Sequence, residues 1–128
     1  MIVDTSAIIA ILYGEPDGEE LLHRLVAAPR RAISTTNLVE AWLVVDRNPN
    51  RAKAAALDEL LSLLQIEAIP VTLNHARLAR EAYNVYGKGK HPAALNFGDC
   101  FSYALAKSSG ESLLYKGNDF AQTDLATR

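Results

Sequence analysis

The chain has 128 residues, of which 49% are apolar and 22% charged. That fits one globular domain with a real core, not a disordered or fibrous polypeptide. Thirteen Lys and Arg against fifteen Asp and Glu leave a net charge of −2. This argues against a non-specific polycationic nucleic-acid binder, but not against an enzyme whose acidic site is rimmed by local basic residues. One cysteine, Cys100, precludes an intrachain disulfide and fits a reducing, cytoplasmic setting. No apolar run nears the roughly 20 residues of a membrane span, and no basic segment precedes the first apolar stretch, so neither a membrane anchor nor a secretory signal is expected.

In chain order, residues 1–3 read as a short buried strand that runs into Asp4, and residues 6–13 as a helix apolar nearly all round. "GEPDGEELLHRLVAA" predicts a second helix, with Pro16 in its first turn, a stripe of Leu21, Leu22, Leu25 and Val26, and a stop at Pro29. "RAIS" is a second strand, residues 35–46 a helix stopped by "NPN", and "RAKAAALDELLSLLQ" a further amphipathic helix. "IEAIPV" alternates like a strand. "NHARLAREAYNVY" is helical and closes at Gly87, and "GKGKHPAAL" is a loop. Residues 97–109 form a helix and residues 112–115 a strand. Strands alternating with helices predict an α/β fold with a mainly parallel sheet covered on both faces. Ligands in such folds bind outside the carboxyl ends of the strands, where Asp4 falls.

Three other acids are placed like Asp4: Glu40 just inside the helix after the second strand, Asp99 in the first turn of the helix near Asn96, and Asp119 just after "SLLY". Each has a plain structural explanation. Asn37 with Glu40 and Asn96 with Asp99 both have capping-box spacing, and an acid in a first turn complements the helix dipole. If the acids converge, however, two carboxylates about 4 Å apart repel by roughly 4 kcal/mol at an effective dielectric near 20. Such a cluster calls for protonation or a bound cation. All-oxygen ligation selects Mg²⁺ or Mn²⁺ over zinc, and His23, His75, His91 and Cys100 have no zinc-like spacing. Cys100, inside an apolar helix, reads as a core residue. A carboxylate-held Mg²⁺ suits phosphodiester hydrolysis. No P-loop, G-x-G-x-x-G or Ser–His–Asp arrangement offers a competing chemistry.

The blocks "IVDTSAIIAIL", "STTNLVEAWLV", "LNFGDCFSYALAK" and "LLYKGNDF" resemble the PIN-domain ribonucleases, and more narrowly the VapC toxins of bacterial VapBC toxin–antitoxin pairs, and the match covers essentially the whole chain. The resemblance implies a single PIN domain over residues 1–128: an α/β/α sandwich with a mainly parallel sheet of about five strands flanked by helices. It implies a Mg²⁺- or Mn²⁺-dependent endoribonuclease that cleaves tRNA or rRNA to arrest translation. It implies a homodimer, neutralised by a VapB-type antitoxin lying across the active-site groove. Asp4, Glu40 and Asp99 match the family's first three acids. Asp4 and Asp99 would be the principal metal ligands, and Glu40 would ligate directly or through water, or orient the nucleophile. Many relatives have a Thr and an extra acid where this chain has Tyr115 and Gly117. Asp119 is then the candidate fourth acid, with Asp124 in reserve.

An RNA substrate needs cations, and Lys88, Lys90 and His91, in the loop before the Asp99 helix, are the candidate substrate contacts, with Lys116 a weaker one. Tyr83 and Tyr86 stand at i, i+3, a spacing that serves core packing or base stacking. Thr5 and Ser6 start a helix or hydrogen-bond a ligand. Trp42, Leu43, Leu60, Leu61 and Leu64 line either the sheet or an interface. The alternative function is a catalytically inactive PIN-like module that binds RNA or protein. A receiver domain would need adjacent early acids, and a haloacid-dehalogenase-type phosphatase a D-x-D after the first strand; both are lacking.

Overall fold

The computed structural model describes residues 1–127. Its strands are β1 (Ile2–Val3), β2 (Ala32–Ser34), β3 (Glu67–Ile69) and β4 (Leu113–Leu114), and its helices are α1 (Thr5–Leu12), α2 (Gly18–Ala27), α3 (Thr35–Asp46), α4 (Ala52–Leu63), α5 (Leu73–Tyr86) and α6 (Phe97–Ser109). Two 3₁₀ turns, Phe120–Gln122 and Asp124–Thr127, follow. All strand pairings are parallel, in the order β3-β2-β1-β4. Among the described residues the sheet therefore has four strands where about five were expected.

The strands are two or three residues long, yet alternation sorts their side chains cleanly. Ile2 and Leu113 join one core cluster with residues of α5 and α6. Val3 and Leu114 join the other, with residues of α1 to α4. Helices thus cover both faces, as a parallel sheet requires. The register, with Ile2 opposite both Ala32 and Leu113, leaves Asp4 at the carboxyl end of the central strand.

Helices α3 and α6 have the bounds read from the sequence; α2 starts later than expected. Pro16 lies in the turn before it, and of its stripe only Leu21 and Leu25 are fully buried, while Val26 is 53% exposed. Leu60, Leu61 and Leu64 pack against the core, whereas Trp42 and Leu43 stay exposed, Trp42 donating Nε1–H to Asp58. His75 is no ligand candidate here. It caps α5 in a box with Thr72, and its Nε2 meets the Ser108 hydroxyl at 3.1 Å.

Candidate metal centre

The chain runs from β1 to β2 to β3 in one direction across the sheet and then returns to place β4 on the other side of β1. The order reverses between β1 and β4, so a crevice is expected there. Asp4 follows β1 at that point and caps α1: its backbone is extended (φ −79°, ψ 154°) and Oδ2 accepts the Ser6 N–H at 3.0 Å. Asp4 therefore caps α1 while standing where a ligand is expected. Its carboxylate is buried and held from both sides. Oδ2 also accepts the Ser6 hydroxyl at 2.6 Å, and Oδ1 accepts the Ser102 hydroxyl from α6 at 2.5 Å.

Glu40 is held differently. The N-cap of α3 is Ser34, three residues before Asn37, so the Asn37–Glu40 pair is not the capping box its spacing suggested. Instead Glu40 Oε1 accepts the Thr5 hydroxyl and the Asn37 amide, each at 2.9 Å. Asn37 is wholly buried. Its Nδ2 also donates to the Gly98 carbonyl at 3.0 Å, while its Oδ1 has no partner among the described residues. The amide orientation follows from chemistry, since the reverse would set oxygen against oxygen. A Cβ on Gly98 would fall where the Glu40 carboxylate stands, so any larger residue there would displace that carboxylate.

Asp99 does close the capping box its spacing suggested. Asn96 Oδ1 accepts the Asp99 N–H and Asp99 Oδ2 accepts the Asn96 N–H, both at 2.9 Å. Its pKa is nevertheless raised to about 6. Burial is the largest cause, opposed by the Asn96 hydrogen bond, and the charges of Asp4, Asp119 and Glu40 push further in the same direction. The other three acids of that set are thus near enough to act on the Asp99 carboxyl group. Asp124 is not among them. It accepts the Tyr103 hydroxyl at 2.8 Å and pairs with Lys107 at 2.7 Å.

The loop cations are less uniform than expected. Lys88 faces the space between α5 and α6. Lys90 stands over the Tyr83 ring, 5.3 Å from its centroid, and reaches Asn84. His91 is committed to its own loop: Nδ1 accepts the Ala93 N–H and the ring packs edge-on against Tyr86. Lys116 pairs with Glu15 at 2.7 Å and lies 3.6 Å from Asp17.

Among the described residues, no group of three or more His, Cys, Asp or Glu side chains stands together in a way that could hold a metal ion by itself. The donor chemistry nonetheless fits a hard divalent cation. The cluster offers carboxylate oxygens only, and burial pushes the Cys100 thiol up to about 11, so it stays protonated. Glu40 and Asp99 each commit one oxygen to the scaffold, and among the described residues the other oxygen of each has no hydrogen-bond partner. Mg²⁺ characteristically takes one or two carboxylates and keeps its waters, so it needs no all-protein cage. Ser102 and Gly98 were not singled out in the sequence. A Ser three residues after Asp99, on the same helix face, is the one trace Ser102 left there.

The PIN domain family model matches residues 1–125. Ribonuclease VapC28 of Mycobacterium tuberculosis is 49% identical over 124 residues, covering 96% of this chain and 93% of its own. Ribonuclease VapC30 of the same organism is 44% identical over 127 residues, covering 99% and 97%. The chain is a PIN domain and belongs with the VapC ribonucleases. Solved structures agree on the fold. Mycobacterium tuberculosis VapC20, described as a toxin that cleaves the sarcin–ricin loop, superposes with a TM-score of 0.74 at 20% identity, covering 94% of this chain and 92% of its own. The Rickettsia felis VapBC2 complex bound to promoter DNA gives 0.76 at 19% identity, covering 97% and 92%.

Proposed function

We propose that this chain is the endoribonuclease toxin of a type II toxin–antitoxin pair, cleaving tRNA or rRNA with Mg²⁺ or Mn²⁺ and neutralised by a VapB-type antitoxin. The observation that carries the reading is the placement of Asp4, Glu40 and Asp119 close enough to raise the pKa of Asp99, at the switch point of the sheet. Such mutual repulsion is relieved by a cation. Asp4 and Asp99 would hold it, with Glu40 as a further ligand or as the group that orients the attacking water. When bound, the ion supplies hydroxide near neutral pH and neutralises charge on the phosphate.

The chain's own residues supply positioning. Ser6 and Ser102 fix both oxygens of Asp4, and Thr5 and Asn37 fix Glu40, so neither carboxylate must be ordered when substrate arrives. Presence of all three family acids favours this reading over an inactive module. The proposed site of action is the cytoplasm; among the described residues no helix is long and apolar enough to cross a membrane. Exposed Val39, Trp42 and Leu43 on α3 offer apolar surface to a homodimer or an antitoxin helix.

The test is incubation of antitoxin-free protein with total bacterial RNA in Mg²⁺, in Mn²⁺ and in chelator, beside Asp99→Asn. Discrete fragments that require the ion and vanish in the variant are expected. Intact RNA in every lane from folded protein, with specific folded tRNAs also uncut, would overturn the reading.

A further inference from the structure

A groove of about 540 Å³ runs between α5 and α6. Arg80 and Tyr83 of α5, Lys88 of the following loop, and Phe97, Cys100 and Phe101 of α6 form its principal walls. Its volume falls in the range of about 300–1,000 Å³ usual for sites that take a small molecule. The rim has an unusual makeup. Phe97 is 71% exposed and Tyr83 41% exposed. The lining contains two cations and no acid. Among the described residues neither the Arg80 nor the Lys88 side chain has an ion-pair partner, so both charges are available to an anion.

The groove adjoins the acid centre. Asn96 lies in its wall, and the same residue's N–H is bonded to Asp99. A polyanion bound at the acids would therefore continue directly past Phe97 into a cavity with cations and aromatic faces. Those are the two things a single-stranded nucleic acid needs: charge along its backbone and flat faces for its bases.

We infer that the α5–α6 groove is a nucleotide subsite for single-stranded RNA beside the cleavage centre, with a base stacking on Phe97 and Tyr83 and adjacent phosphate held by Arg80 and Lys88. The inference rests on the ribonuclease reading and deepens it. A second copy of the chain suits this groove poorly, because a self-complementary contact would set the same acid-free, doubly cationic lining against itself.

The probe is a fluorescein-labelled, mixed-sequence single-stranded RNA octamer, with binding measured in the Asp99→Asn background so that it is not consumed. Phe97→Ala and Arg80→Gln change exposed side chains, and thermal melts check that both variants fold. Phe97→Ala is expected to weaken binding about tenfold. Arg80→Gln should lower the slope of log affinity against log salt by about 0.7, one phosphate contact. In the active chain both changes should slow cleavage of total bacterial RNA at low RNA concentration and recover at high concentration. Binding and cleavage equal to the parent would overturn the inference while leaving the ribonuclease reading intact. So would losses that track a change in oligomeric mass by sedimentation, which would make the groove an interface between copies. If the chain cleaves no RNA at all, the ribonuclease reading fails, and the octamer titrations still decide whether the groove takes RNA.

Discussion

Asp99 meets opposing demands. Its helix dipole and the Asn96 N–H favour the carboxylate, while burial and three neighbouring acids favour the neutral acid, and the second group prevails with a pKa near 6. For an acid whose folded pKa exceeds its ordinary value of 3.8, the folded state binds more protons than the unfolded state between those two values. Metal-free stability from this group therefore falls as pH rises from about 4 to about 6, and its full penalty remains above that. Asp99→Asn keeps an acceptor for the Asn96 cap and removes the charge. Its melting temperature, without divalent ions, should exceed the parent's by a few degrees at pH 7.5 and by little at pH 4.5. A difference independent of pH would show that the Asp99 charge is not the source. Adding Mg²⁺ at pH 7.5 should raise the parent's melting temperature and leave Asp99→Asn nearly unmoved, because an ion that binds only the folded state stabilises it by mass action. Gly98 is constrained in another way. Gly98→Ala puts a methyl group where the Glu40 carboxylate stands, so ribonuclease activity should be lost even in preparations that fold, read by circular dichroism and by cleavage of total RNA.

Among the elements, α6 carries most of the site. Its cap residue Asn96 fixes Asp99, Gly98 gives Glu40 room and receives the Asn37 amide, and Ser102 reaches back across the interface to Asp4. The helix ends in left-handed Gly110 (φ 71°), where a residue without Cβ closes the last turn at little cost. Moving α6 would thus disturb three acids at once. Ser102→Ala removes one of the hydrogen bonds that orient the buried Asp4 carboxylate. Losing a group that orients a ligand typically weakens metal affinity about 10- to 100-fold. The Mg²⁺ concentration for half-maximal cleavage should rise accordingly, with the rate at saturating Mg²⁺ falling less. An unchanged Mg²⁺ requirement would show that Ser102 serves packing alone.

For the whole molecule, the tail after β4 separates the two candidates for a fourth acid. Asp119 acts on Asp99 across the crevice, whereas Asp124 is tied down by Lys107 and Tyr103. Burial tends to raise the Asp124 pKa, but those two hydrogen bonds and the lysine charge hold it below the usual carboxylate range. Asp119→Asn should reduce cleavage, and Asp124→Asn should leave it near the parent's. The partly exposed Lys107–Asp124 pair is worth under about 1 kcal/mol, so stability should change little in Asp124→Asn. Equal losses in both variants would place Asp124 in the centre as well.

What the sequence by itself determined is what depends on near neighbours along the chain. The alternation of strands and helices follows from local patterning, the Asn96–Asp99 cap from a spacing of three residues, and the position of Asp4 from the end of an apolar strand. Each needs only a few consecutive residues to be satisfied, so each was legible. The partners of Glu40 were not, because Thr5, Asn37 and the space over Gly98 reach it from three elements, and spacing along the chain suggested a cap that the fold does not make. Nor were Ser102 as a support for Asp4, ninety-eight residues away in the chain, or the separation of Asp119 from Asp124. Those were decided only by tertiary structure. Burying a carboxylate demands hydrogen-bond partners from whichever elements the sheet order brings alongside, and that order is a property of the packed whole.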